Sequence, residues 1–290
     1  MNSQRHAYMI LCHNNWQQLK MLLKALDNSN NDIYIHIDKK AHFTEEMRKE
    51  LIRELHFAKT EFVRRISVHW GAYSLIEAEL ILLKCATATE HQYYHLLSGV
   101  DLPLKSQDQI YAFFREHDGM EFIDIEESPI AENYCIERTR FYYPLRELVG
   151  RHDSTTRNIG TYAEAAIRKV QRILRINRLK NYIKVYKGSQ WFSITHTMAC
   201  YVLSREREIH RHFGACFCAD EFFLQTIAMD SPYKDNICSS NMRKIDWERG
   251  KPYTWTAADY DELIQSSALW ARKFDVNREP EIIRRICEAI

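Results

Sequence analysis

Three short segments in the C-terminal half carry the residue types of a group-transfer site: Gly188-Ser189-Gln190-Trp191-Phe192, Ala219-Asp220-Glu221-Phe222-Phe223 and Ala271-Arg272-Lys273-Phe274-Asp275. Together they supply a carboxylate base and two cations. That set can deprotonate a hydroxyl while stabilising a departing pyrophosphate. The Asp-Glu pair reads as the start of a helix, where the dipole keeps a carboxylate ionised and ready to accept a proton. Glu221 is then the base and Asp220 the helix cap, with an exchange of the two roles open. Arg272 and Lys273 offer fixed positive charge, which favours a leaving group whose negative charge grows in the transition state.

Such residues need a scaffold that brings distant segments together. The first 125 residues alternate short apolar runs with helical patterns, the signature of repeated βα units around a mainly parallel sheet. Strands are expected over Ala7 to Cys12, Ile33 to Ile37, Phe62 to Val68, Tyr93 to Leu97, Glu121 to Ile125 and, later, Trp191 to Thr195. Trp16, Leu19, Leu22, Leu23 and Leu26 recur at helical spacing, as do Leu75, Ala78, Ile81, Leu82 and Cys85. Ligands bind such sheets where strands end and loops begin, so His13-Asn14, Asp38-Lys39, His69-Trp70-Gly71 and Ser98 to Asp101 are the loops of interest. With no repeat, low-complexity tract or linker, residues 1–290 read as a single domain. Its parts are nucleotide-binding (about 1–125), a basic insertion (about 126–187), and an acceptor and catalytic part (about 188–290).

The order of these segments, with Tyr34-Ile35-His36-Ile37-Asp38 and Leu97-Ser98-Gly99-Val100-Asp101-Leu102-Pro103-Leu104 before them, resembles the core-2/I-branching N-acetylglucosaminyltransferase and peptide O-xylosyltransferase family. The resemblance runs over nearly the whole chain, with nothing matched residue by residue between Glu126 and Lys187. It implies a GT-A-like α/β fold with a mainly parallel central sheet flanked by helices. It further implies an inverting displacement at an anomeric carbon, with Glu221 as general base. Arg272 and Lys273 match the basic pair on the donor diphosphate, and Arg243 is a third cation there. Asp38 resembles the aspartate that reads uracil or ribose, Trp70 matches an aromatic flanking the nucleotide, and His13 stands in a loop of the same region. Trp70 reads equally well as a core tryptophan. Gln190 and Trp191 fall where the family meets the transferred or accepting sugar. Asp101 either lines that pocket or stabilises the turn before Leu102-Pro103.

Many sugar-nucleotide transferases of this general fold hold a divalent ion with Asp-X-Asp after the fourth strand. Here Ser98-Gly99-Val100-Asp101 carries one carboxylate, and side-chain cations can neutralise the diphosphate instead. No metal and no other cofactor is therefore expected, the UDP-sugar being a co-substrate. His91 and His95 straddle the start of a strand rather than sharing a helical face, and no Glu follows His91, so they read as surface or core histidines. The eight glycines form no phosphate-binding loop or nucleophile elbow.

A hydrophobic content of 46% over 290 residues supports a sizeable core, and a net charge of +1 argues against a nucleic-acid partner. The charge is nevertheless uneven. Between Arg138 and Lys187 thirteen Arg and Lys face only Glu147, Asp153 and Glu164. Ile167, Val170, Ile173 and Leu174 form a helical stripe there, with Arg168, Lys169, Arg172, Arg175 and Arg178 around it. Two readings follow: a helix covering the sheet with a solvated basic face, or peripheral contact with an anionic membrane through residues 138–187. The scattered cysteines read as free thiols, and no translocation signal is visible, so the chain is expected in the cytoplasm or on the inner membrane face.

The function expected is inverting, metal-independent transfer of a sugar from UDP to a hydroxyl of a glycan or lipid-linked glycan, forming a β linkage in surface polysaccharide or glycoconjugate synthesis. N-acetylglucosamine is the favoured sugar, with xylose or another hexose open. The rivals are a non-catalytic carbohydrate or anionic-membrane binding protein on the same fold, and a metal-dependent retaining transferase.

Overall fold

Continuous apolar runs build the centre of the molecule. The computed structural model describes residues 5–149, 154–178, 184–250 and 252–290, leaving aside the side chains of 154–157. The strands are β1 His6–Cys12, β2 Asn31–Ile37, β3 Lys59–Phe62, β4 Tyr93–Ser98, β5 Asp101–Pro103, β6 Glu121–Ile123, β7 Phe192–Thr195, β8 Ile237–Cys238, β9 Arg243–Ile245 and β10 Trp270–Arg272. The helices are α1 Trp16–Ala25, α2 Glu45–Ile52, α3 Tyr73–Ala86, α4 Gln107–Glu116, α5 Pro129–Thr139, α6 Arg146–Val149, α7 Ser154–Ile173, α8 His196–Ser204, α9 Glu206–Phe213, α10 Phe223–Met229, α11 Tyr260–Gln265 and α12 Pro280–Ala289.

Seven strands form the main sheet in the order β3-β2-β1-β4-β7-β6-β8, and β5-β10-β9 form a small second sheet. The main sheet is mainly parallel and flanked by helices, the α/β architecture expected; only β7 runs antiparallel to its neighbours. Every residue of β2 is buried, as a strand covered on both faces requires. Two apolar clusters result. Ile76, Leu80 and Leu83 of α3 pack in one with Met198 and Ile227, while Leu19, Leu22 and Leu23 of α1 pack in the other with Phe114, Trp270 and Ile283.

Two expectations about elements are corrected. The run Phe62 to Val68 is not a strand beyond Phe62. Past that point main-chain bonds are reduced to Val63 N to Ile35 O and Lys39 N to Ile66 O, while Ile66 N donates to His36 Nε2 and the Arg65 guanidinium bonds the carbonyls of Ile37, Asp38 and Ala41. The last residues expected in β6, Asp124 and Ile125, also lie outside it. The second correction concerns α7, which forms but does not lay its apolar stripe on the sheet. Its inner face is polar. Glu164 is buried against Arg146, and Gln171 exchanges hydrogen bonds of 2.8 and 2.9 Å with the main chain of Tyr142. Val170, Ile173 and Leu174 face outward.

Candidate functional site

The loops after β1, β2 and β4 meet the start of β7 and the end of β10 around a cavity of about 310 Å³. Its walls include Cys12, His13, Asp38, Trp70, Gln190, Trp191 and Arg272. The turn after β4 depends on glycine, since a Cβ on Gly99 would stand 2.6 Å from Cys12 Sγ. A larger open hollow of about 630 Å³ lies against α3 and α9, but none of the expected residues borders it, and two of its cations, Arg64 and Lys84, are paired with Glu77 and Glu206.

Asp38 follows β2 directly and is buried. Its Oδ1 accepts from Lys40 N at 2.8 Å, and Lys40 Nζ stands 3.6 Å from Oδ2. Trp70 is 72% exposed and makes a T-shaped ring contact with Phe217, which excludes the core reading. Gly71 follows it at φ 70°, where a Cβ would lie 2.6 Å from the Phe217 ring. Gln190 donates from Nε2 to Glu79 Oε1 at 2.8 Å, fixing its amide at the cavity wall.

Arg272 lies 4.6 Å over the Trp191 ring, and its Nη1 donates to Asp101 Oδ1 at 3.0 Å. Asp101 Oδ2 accepts from Ser98 N at 2.8 Å. Burial raises this carboxyl above the usual range and the Arg272 charge opposes the rise. Asp101 therefore holds the turn and aims Arg272, the second of the two places open to it, and it is not among the residues bordering the cavity.

The other two cations stand elsewhere. Lys273 borders a separate hollow of about 380 Å³ with Arg249, Tyr253, Thr256 and Arg278. The Arg-Lys pair is thus not assembled in the cavity. Arg243 is buried where β4 and β7 separate. Its guanidinium donates to Leu96 O at 3.2 Å, Phe192 O at 2.7 Å and Ser193 Oγ at 2.8 Å, and it lies 4.5 Å over Trp270. Burial lowers it to about 9. Here it supports strands and does not border the cavity.

Glu221 ends a 3₁₀ turn, Ala219–Glu221, and precedes α10 rather than lying in its first turn. The turn is tied to two cavity rims: Cys218 N donates to Gly71 O at 3.0 Å, and Gly188 N donates to Glu221 O at 2.9 Å. Glu221 Oε2 accepts from the Tyr134 hydroxyl, whose ring carries the Arg138 guanidinium at 3.4 Å. Asp220 is not a cap. It turns inward, its Oδ1 has no hydrogen-bond partner among the described residues, and burial followed by the Glu221 charge raises it to about 7. Glu79, buried nearby, is pushed well above the usual carboxylate range by burial.

Sequence reasoning missed Tyr134, Glu79 and Lys40. Tyr134 falls in the stretch without matched residues, and its i,i+4 relation to Arg138 was the available signal. His91 and His95 are core groups: His91 Nε2 pairs with Asp32 at 2.8 Å, and His95 sits between Ser193 Oγ and His6 Nδ1. Among the described residues no three His, Cys, Asp or Glu side chains converge as a metal set, the eight cysteines form no disulfide, and no helix is long and apolar enough to cross a membrane.

A mainly parallel sheet flanked by helices, with its cleft at the strand ends, is consistent with a GT-A-like glycosyltransferase fold. The chain belongs to the Core-2/I-Branching enzyme family, whose model matches residues 6–264. It is similar to xylosyltransferase 2 of Rattus norvegicus, 24% identical over 307 residues that cover 96% of this chain and 33% of the relative. It is also similar to xylosyltransferase 1 of Homo sapiens, 21% identical over 313 residues, covering 98% and 30% respectively. The chain spans about a third of the length of these curated relatives.

Proposed function

We propose that the chain is an inverting glycosyltransferase that moves a sugar from a UDP-sugar to a hydroxyl of a glycan acceptor, giving a β linkage without a metal ion. The observation that carries this reading is convergence. His13, Asp38, Trp70, Gln190, Trp191 and Arg272, drawn from segments far apart in sequence, border one cavity, and the turn that carries Glu221 is tied beside it by main-chain bonds from Cys218 N to Gly71 O and from Gly188 N to Glu221 O.

In the reaction Glu221 takes the proton of the acceptor hydroxyl as its oxygen attacks the anomeric carbon. The bond from that carbon to the UDP oxygen breaks on the opposite face, and Arg272 stabilises the charge gathering on the departing diphosphate. Asp38 bonds the nucleoside, and Trp191 supplies an apolar face to the sugar while keeping Arg272 in place. Asp101, spent on Arg272 and Ser98, is not free to bind a cation, which supports metal independence. For the donor sugar we favour N-acetylglucosamine, the sugar of the branching enzymes; the names of the relatives make xylose the alternative.

A thermal-shift screen with UDP, UDP-N-acetylglucosamine and UDP-xylose, followed by transfer assays in excess EDTA, tests the proposal. A donor should raise Tm by mass action, and turnover should survive the chelator. If EDTA abolishes transfer and Mn²⁺ restores it, the metal-independent mechanism is wrong; if no uridine nucleotide stabilises the fold, the donor class is wrong.

A further inference from the structure

Helix α7 is amphipathic in the opposite sense to a helix that covers a core. Its inner face is fixed by polar contacts: Glu164 against Arg146, Gln171 against the Tyr142 main chain, and Arg168 at 5.6 Å over the Tyr143 ring. Rotation to bury the apolar stripe would break these contacts together and leave the Glu164–Arg146 pair divided. The outward stripe is therefore built in. It consists of Ile159, Tyr162, Val170 and Ile173, from 53% to 77% exposed, with Leu174 just beyond.

Lys169, Arg172 and Arg175 are exposed beside this stripe, and Glu164, the one acidic residue of the helix, is on the buried side. The acid paired with Arg172 is Glu137 of α5, at 3.8 Å. An apolar stripe bordered by cations is complementary to a surface that is apolar inside and anionic at its boundary. We infer that α7 lies flat on an anionic lipid bilayer, with Ile159, Tyr162, Val170 and Ile173 at the headgroup boundary and Lys169, Arg172 and Arg175 among the phosphates. A second copy of the chain is a poorer occupant, because it would bring two cationic helices together. The inference stands independently of the transferase reading.

Flotation of the intact chain with phosphatidylglycerol–phosphatidylcholine vesicles, compared with phosphatidylcholine alone, is the test. The chain should float with the anionic vesicles and be released by high salt. The Val170→Asp/Ile173→Asp double variant should bind them at least about tenfold more weakly, since it places charge in the inserted stripe. Lys169→Glu/Arg172→Glu should remove only the part of binding that depends on anionic lipid. These positions are exposed, so melting should match the parent; if a variant misfolds, salt release of the parent still decides. Failure of the parent to float with anionic vesicles overturns the inference. So does a dimer in sedimentation that Val170→Asp dissolves, which would give the face to a second copy. Nucleotide-induced shifts in Tm should be the same in parent and variants, which separates this outcome from failure of the transferase reading.

Discussion

At the scale of single residues, Glu221 accepts from the Tyr134 hydroxyl at the carboxylate that the proposed reaction assigns to the acceptor's proton. Glu221→Gln should keep donor affinity and lower turnover by roughly 10²–10⁴, the loss expected for general-base help. Near-normal turnover at saturating acceptor would remove Glu221 from that role. Tyr134→Phe frees the carboxylate without removing it, so its effect should be far smaller. The two neighbouring cations should separate as well. Arg272→Ala should weaken UDP binding by about 1.5–3 kcal/mol, the range of charge-assisted hydrogen bonds, whereas Lys273→Ala should change it by less than about 0.5 kcal/mol. Calorimetry with UDP checks both, and equal losses would mean that Lys273 swings into the cavity on binding.

At the scale of elements, Arg243 is a splice between β4, β7 and β9. Arg243→Met keeps much of the volume over Trp270 but strands the carbonyls of Leu96 and Phe192, so it should cost about 2–4 kcal/mol in urea unfolding while UDP affinity per folded molecule is kept. A stable variant with weakened UDP binding would put Arg243 back at the diphosphate. The same residue shows what periodicity can and cannot reveal. β1, β2, β4 and β7 were legible because a buried strand must be apolar whatever it carries. The direction in which a side chain leaves its strand is set by pairing partners: β10 as neighbour turns Arg243 inward, and only the three-dimensional sheet contains that fact. Helix α7 makes the complementary point. Its stripe was legible, but Glu164 and Gln171, seated against Arg146 and Tyr142, decide which face is inside.

For the whole molecule, the loops that form the cleft were legible from their places after apolar runs, whereas Tyr134 and Glu79 reach Glu221 and Gln190 beside it only through the packing of distant helices, α5 and α3. That packing also leaves buried ionisable groups, which tie global stability to pH. Burial raises both Asp220 and Glu121 to about 7 and lowers His6 to about 3 and His36 to about 4. The two acids keep a proton in the folded chain that they lose on unfolding. Their contribution to stability is complete below about pH 4 and is lost as pH rises through about 7. The two histidines act in the opposite sense: their contribution is present above about pH 6.5 and is lost as pH falls through about 4 to 3. Opposing slopes hide each other in the parent, so a variant must unmask them. Asp220→Asn removes one falling limb, and relative to the parent it should gain roughly 2–3 kcal/mol on going from about pH 5 to about pH 8. Urea-unfolding free energies of both proteins at the two pH values give the answer directly. An unchanged difference between them would mean that Asp220 is already ionised in the fold, and that burial does not govern its proton.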